Sequence, residues 1–219
     1  MVDVVVVDID GTLVDSNYHH AVAWAAAFRE CEVTVPVWRV HRAIGMGGDH
    51  LVAAVAGQRV EAEHGDRVRK RWAELFEPML DSISPLEGAR ELLIEVKRRG
   101  MALVLASSGK PDHVEHYLDV LAARGVADAW TTSKDVERTK PAPDLIELAI
   151  DRVEGDRAVT VGDSIWDCRS AQRCGVPCLG VRTGGFGADE LAGAGAVRVY
   201  DDLPSLGADL NRLPLENPT

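Results

Sequence analysis

The chain has 219 residues, 46% hydrophobic and 27% charged, with a formal net charge of −11. This is ample material for a globular core, and the acidic surplus argues against nucleic acid or an anionic membrane as partner, since both select a basic face. No apolar stretch approaches the roughly 20 residues of a membrane-spanning helix, and the N-terminus runs directly into a strand pattern without a basic leader, which predicts a cytoplasmic protein. Cys31, Cys168, Cys174 and Cys178 match no zinc spacing and read as reduced thiols.

The first element is the run Val4–Val7, four β-branched residues of the kind expected in a parallel strand buried on both faces. It ends in Asp8-Ile9-Asp10-Gly11-Thr12-Leu13. Ligands of open parallel sheets bind beyond the carboxyl ends of the strands, so Asp8 and Asp10 stand where chemistry is usually done. In extended geometry alternate side chains share a face, and Gly11 allows a sharp turn that brings amide N–H groups toward an anion. Two close carboxylates repel each other unless a cation neutralises them, and a hard divalent ion such as Mg2+ suits oxygen ligands. The plainer alternative is that both acids merely end a strand and open a turn.

From Ser16 the pattern becomes helical. Trp24, Ala27, Phe28 and Cys31 form one stripe, with Asp15 or Ser16 as a possible cap. A second helix is expected over Asp49–Ala56 and a third over Val60–Leu80, with Val68, Trp72, Leu75, Phe76 and Met79 on one face. The basic run Arg67–Arg71 lies within that helix and reads as a solvated face. Gly45-Met46-Gly47-Gly48 follows no strand and reads as a turn between helices rather than a dinucleotide loop. A crossover needs far fewer residues than 16–82, so this stretch is expected to be an inserted all-helical subdomain.

At Ile83 the chain returns to a regular βα alternation. Strands are expected at Met101–Ala106, Ala129–Thr131, Ala158–Val161 and Cys178–Val181. The intervening helices begin near Ala89, Asp112, Asp144 and Ser164, and a weaker βα remnant ends the chain. The fold class is therefore α/β: a Rossmann-like parallel sheet with helices on both faces, plus the helical insertion.

Three later clusters fall at strand ends or loops. Ser107 and Ser108 end the second strand, where hydroxyls beside free amides can hold phosphate oxygens, although Ser-Ser-Gly is also ordinary turn chemistry. Lys140 precedes Pro141, which biases it to an extended backbone; alone it reads as a surface lysine. Gly162-Asp163-Ser164-Ile165-Trp166-Asp167 follows the strand Ala158–Val161. Ser164 with Asp167 makes a reasonable capping box, but Asp163 ends an apolar strand, where an uncompensated carboxylate is costly. His113 and His116 share a helix face without a third ligand nearby, so they read as surface or core residues.

Together these motifs resemble the haloacid dehalogenase superfamily, in the subgroup containing phosphoglycolate phosphatases and β-phosphoglucomutases. The resemblance covers nearly the whole chain and is poorest over residues 16–82. It implies a core of residues 1–15 and 83–219 with a helical cap of 16–82. It further implies a Mg2+-dependent phosphatase acting on a small phosphorylated metabolite, as a monomer or small homo-oligomer. By resemblance Asp8 is the nucleophile that becomes an aspartyl-phosphate, and Asp10 is the acid and base. Lys140 and Ser107 match the motifs that hold the transferring phosphoryl group, with Gly11, Thr12 and Ser108 beside them. Asp8, Asp10 (through its carbonyl), Asp163 and Asp167 match the Mg2+ site, Asp163 as a direct ligand and Asp167 through water or as a partner of the ligands. Asn17, His20 and Arg42 are candidates for reading the leaving group, the arginine because it suits a second anion.

Three rivals are weighed. A haloacid dehalogenase shares Asp8 but uses neither Mg2+ nor the second acid, so Asp10 and Asp163 argue against it. A phosphosugar mutase uses the same motifs and differs only in its cap. A receiver domain, a non-enzymatic switch phosphorylated on aspartate, has similar acids but no place for the helical insertion.

Overall fold

A computed structural model describes residues 2–210. Six strands form one parallel sheet: β1 Val4–Val7, β2 Ala102–Ala106, β3 Ala129–Thr131, β4 Ala158–Gly162, β5 Cys178–Val181 and β6 Ala196–Tyr200. Their order is β3-β2-β1-β4-β5-β6. The chain builds outward from β1 on one side and then crosses to β4 on the other. That reversal opens a crevice at the carboxyl ends of β1 and β4.

The four valines of β1 are at most 2% exposed, as the β-branched run demanded. Val4 and Val6 pack with Val104, Ala106 and Ala149 on one face, while Val5 and Val7 join the larger core on the other. Each buried valine contributes about 1.5–3 kcal/mol relative to exposure, as an upper bound. Helices α7 (Asp144–Asp151) and α8 (Ile165–Arg173) cover the first face. Helices α5 (Ala89–Arg98), α6 (Pro111–Val120) and α10 (Leu203–Asp209) bury their apolar stripes in the larger core. The C-terminal remnant is fuller than expected: α9 (Ala188–Gly193), β6 and α10 complete the sheet. No helix among the described residues is long and apolar enough to cross a membrane.

Between β1 and α5 lie α1 (Asn17–Glu30), α2 (Val37–His41), α3 (Gly48–Ala56) and α4 (Gln58–Phe76), with no strand of the sheet. The expected stripe is buried, and Trp24 stacks on Trp72 at 4.7 Å between ring centroids. The third helix ends earlier than its pattern suggested. Pro78 lacks the N–H an α-helical ladder needs, and the chain tightens into a 3-10 turn over Glu77–Ser82. The segment leaves and rejoins the core through one neck. Val14 bridges Pro85 antiparallel, Asp15 N donates to Ser84 O at 3.0 Å, and Leu86 N donates to Leu13 O at 2.9 Å.

Candidate active site

Asp8 leaves β1 with its N–H on Val161 O, and Asp163 leaves the neighbouring β4, so adjacent strand ends bring these acids together. Asp167 joins them from the first turn of α8, where it closes the expected capping box with Ser164. One carboxylate oxygen from each of Asp8, Asp163 and Asp167 lies within 4.8 Å of the others, and all three side chains are buried. Lys140 is 2% exposed. Its ammonium pairs with Asp8 Oδ1, donates to Asp167 Oδ1 at 2.7 Å and reaches Ala106 O at 3.3 Å.

Donors complete the cluster. Thr12 Oγ1 lies 2.8 Å from Asp163 Oδ1 and 3.2 Å from Asp8 Oδ2, with one proton to give between them. Asn17 Nδ2 donates to Asp163 Oδ2 at 2.8 Å and to Gly184 O at 3.3 Å. Burial, then the Asp167 charge, push Asp163 up to about 7. Burial raises Asp8 well above the usual carboxylate range, although Lys140 opposes the shift. Burial works against the Lys140 ammonium, but Asp167 and Asp8 outweigh it and hold its pKa above the ordinary value.

These shifts share a cause: three buried carboxylates face one ammonium. The two negative charges left over equal the charge of one divalent cation, and the donors are all oxygen, as a hard ion prefers. The residues fit such an ion.

Asp10 lies outside that triad and has its own setting. Ser16 Oγ donates to Oδ1 at 2.8 Å, His20 Nε2 lies 3.0 Å from the same oxygen, and Ser107 Oγ donates to Oδ2 at 3.1 Å. Burial raises the Asp10 pKa, but His20, Ser16 and Ser107 together overcome it and hold the acid at about 2. Ser107 in turn accepts from Gly109 N at 2.9 Å.

A small cavity stands over Asp8 and Asp10, with His20, Ser108 and Gly109 on its polar side and Trp24, Met46 and Trp72 among its apolar walls. The structure therefore gathers Asp8, Thr12, Lys140, Asp163 and Asp167 at one centre, with Asp10, His20 and Ser107 beside it. Gly11 turns the chain there with φ +76°. Asn17 serves Asp163 rather than lining the cavity. Arg42 also lies off the cavity wall: its guanidinium pairs with Glu190 and sits 4.0 Å from the centre of the Phe186 ring. His113 and His116 turn to Glu77 and Leu80 O, not to a shared ligand. The Gly45–Gly48 turn separates α2 from α3, and a side chain at Gly45 would meet Ser164 Oγ at 2.5 Å.

A family model described as haloacid dehalogenase-like hydrolase matches residues 2–175. The chain belongs to the haloacid dehalogenase-like hydrolases. It is 31% identical over 217 residues to a phosphoglycolate phosphatase of Rhodospirillum rubrum, covering 93% of this chain and 88% of that protein. It is 30% identical over 190 residues to the validoxylamine A 7'-phosphate phosphatase of Streptomyces hygroscopicus subsp. limoneus, covering 84% and 87%. The crystal structure of a hydrolase from Pseudomonas syringae matches with a TM-score of 0.90 at 31% identity, covering 97% of this chain and 99% of that one. This member of the haloacid dehalogenase-like hydrolases is an enzyme, a phosphoric monoester hydrolase, which removes the non-enzymatic switch from the rivals.

Sequence reasoning missed two contributors to this hydrolase's site. Ser16 occupies the N-cap of α1 but makes no cap hydrogen bond with its side chain; its hydroxyl goes to Asp10. Gly184, just after β5, packs so closely that a Cβ there would lie 1.6 Å from Asp163 Oδ2. Its signal was available, since Thr183-Gly184-Gly185 is one more polar loop at a strand's carboxyl end.

Proposed function

We propose that this chain is a Mg2+-dependent phosphatase that hydrolyses a small phosphate monoester through an aspartyl-phosphate on Asp8. The observation that carries the proposal is the buried Asp8–Lys140–Asp167–Asp163 cluster with the separately held Asp10 beside it, under one small cavity. The phosphatase names of the relatives agree with it.

In this reading an Asp8 oxygen attacks phosphorus in line, forming the Asp8–phosphorus bond as the ester oxygen departs. Asp10 gives that oxygen a proton. In the second half a water loses its proton to Asp10 and attacks the same phosphorus, and the bond to Asp8 breaks. Lys140 keeps the Asp8 carboxyl oriented and opposes the charge of the phosphoryl oxygens, with Ser107 and Ser108 as further donors; the expected Gly11 and Thr12 amides are already given to Val14 O and Ile9 O. Asp10 is ionised in the free enzyme; an arriving phosphoryl anion favours its protonated form, which prepares it as the acid. Mg2+ held by Asp8, Asp163, Asp167 and the Asp10 carbonyl would supply positive charge against the phosphoryl oxygens. Residues 16–82 act as a cap over a core of 1–15 and 83–219, excluding bulk water and reading the leaving group.

Phosphate release from a panel of esters, with and without Mg2+ and after EDTA, tests the proposal. Release that EDTA abolishes and Mg2+ restores is expected. Release that ignores EDTA would overturn the metal assignment, and phosphosugar isomerisation without release would make the chain a mutase.

A further inference from the structure

We infer that Asp49, on the helical segment, is a positioning residue for Lys140 and acts through Thr139. The inference rests on the phosphatase reading above, in which Lys140 orients Asp8 and opposes the phosphoryl charge. Lys140 stands in the stretch between β3 and α7, which forms neither helix nor strand. Its ammonium must meet Asp8 and Asp167 from a loop, so the backbone on either side of residue 140 needs anchors from other elements. Downstream the core supplies them from α8. Ser170 Oγ donates to Ala142 O at 2.6 Å, and the Arg173 guanidinium donates to Pro141 O at 2.6 Å.

Upstream the anchor crosses over from the helical segment. Asp49, in the first turn of α3, accepts the Thr139 backbone N–H on Oδ2 at 3.3 Å and the Thr139 hydroxyl on Oδ1. Thr139 is 5% exposed, so its amide needs a protein partner, and Asp49 provides it. A carboxylate serving only the α3 dipole could stay on its own turn. Both Asp49 oxygens instead reach a residue 90 positions along the chain. The backbone closes in at the same point: a Cβ on Gly47 would lie 2.1 Å from Thr139 Oγ1. His50 Nε2 stands behind the clasp, 3.3 Å from Asp49 Oδ2.

One carboxylate thus holds both the backbone and the side chain of the residue before Lys140. The lysine is anchored on both sides while residues 16–82 sit on the core, and it loses the upstream anchor when they lift. Small displacements of a charged group beside the reacting atoms are enough to cost large factors in rate.

The test measures kcat and KM with Mg2+ for acetyl phosphate, 2-phosphoglycolate and a hexose 6-phosphate, with thermal melts beside them. Asp49→Ala removes both acceptors and should lower kcat by about tenfold to hundredfold on all three substrates alike, with KM changed about threefold or less. Asp49→Asn can still accept the Thr139 N–H on its amide oxygen and donate to the hydroxyl from its nitrogen, so it should keep most of kcat. Thr139→Val should lower kcat by about fivefold to tenfold, the worth of one hydrogen bond, and Thr139→Ser should restore it. Asp49→Ala with kcat within twofold of wild type would overturn the inference. So would Asn as damaging as Ala, which would make charge the cause, or a loss confined to one leaving group, which would make Asp49 a substrate contact. If Asp49→Ala folds poorly, the Val and Ser pair at position 139 decides. A wild-type protein that turns over no ester overturns the phosphatase reading and this inference with it, a result distinct from active protein with indifferent variants.

Discussion

Replacing Asp10 by Asn probes the proposed acid with little harm to the fold. Asp10 Oδ1 accepts from Ser16 at 2.8 Å and faces His20 Nε2 at 3.0 Å, while Oδ2 accepts from Ser107 at 3.1 Å. An amide oxygen in the Oδ1 position keeps the first two contacts. The amide nitrogen then faces Ser107, whose hydroxyl can rotate to accept. One bond reverses and none is deleted, so the stability cost should stay near or below about 1 kcal/mol. Chemistry should lose far more. General acid assistance is worth about 10²–10⁴-fold, or about 2.7–5.4 kcal/mol of barrier. That full loss is expected for a sugar phosphate, whose alkoxide leaves poorly without a proton. Nitrophenolate leaves readily, so p-nitrophenyl phosphate should suffer much less in bond breaking. The second step still lacks its base, so the aspartyl-phosphate should accumulate and give a burst of nitrophenol before slow turnover. Single-turnover rates for the two esters, with KM measured separately, make the comparison. Equal losses for both esters with no burst would refute the acid role.

Asp163→Asn should raise the Mg2+ concentration needed for half-maximal turnover at least tenfold; full activity at unchanged Mg2+ would remove Asp163 from the site. Metal-free protein should be more stable near pH 6 than near pH 8. The folded Asp163 carboxyl, pushed up to about 7, binds its proton more tightly than the unfolded chain does, so stability is lost as pH rises toward that value. Saturating Mg2+ should flatten this dependence in thermal melts, and identical profiles with EDTA and with Mg2+ would contradict the cation site. Arg42→Ala breaks a partly exposed pair with Glu190, so it should change stability by about 0–1 kcal/mol and leave the ranking of substrates intact. A selective loss for a substrate with a second anion would return Arg42 to substrate recognition.

The sheet was readable because each buried strand is a local signal: Val4–Val7 and Leu103–Leu105 are apolar runs, and Val159–Val161 is a run of β-branched residues, each bounded by turns. The acids at their ends were readable for the same reason, since a carboxylate closing an apolar strand is conspicuous without any partner in view. What escaped notice depends on distance along the chain. Ser16 lies six residues from Asp10 and looks like a cap; Asn17 meets Asp163 across most of the sequence, and Gly184 meets it from the loop after the next strand. Arg42 was read by its charge alone, and nothing local announced that Glu190 and Phe186 would engage it. The short α2, entered through Pro36, had too few residues to show a period.

The neck formed by Leu13–Asp15 and Ser84–Leu86 has a consequence for how such a chain can change over evolutionary time. Because the two ends of the helical segment are hydrogen-bonded neighbours, its backbone leaves and rejoins the core as a closed loop. Closure entropy grows slowly with length: doubling the segment would cost only about 0.6 kcal/mol. The helices between Asn17 and Phe76 can therefore be lengthened, shortened or exchanged with little penalty to the sheet that holds Asp8, Lys140 and Asp163. Their first turn is tied to the acids, through Ser16 and His20 on Asp10 and Asn17 on Asp163, and further ties run from His41 to Gly184 O, Arg42 to Glu190 and Asp49 to Thr139. Drift at positions that make none of these contacts can explore new ligands while the tied residues stay fixed.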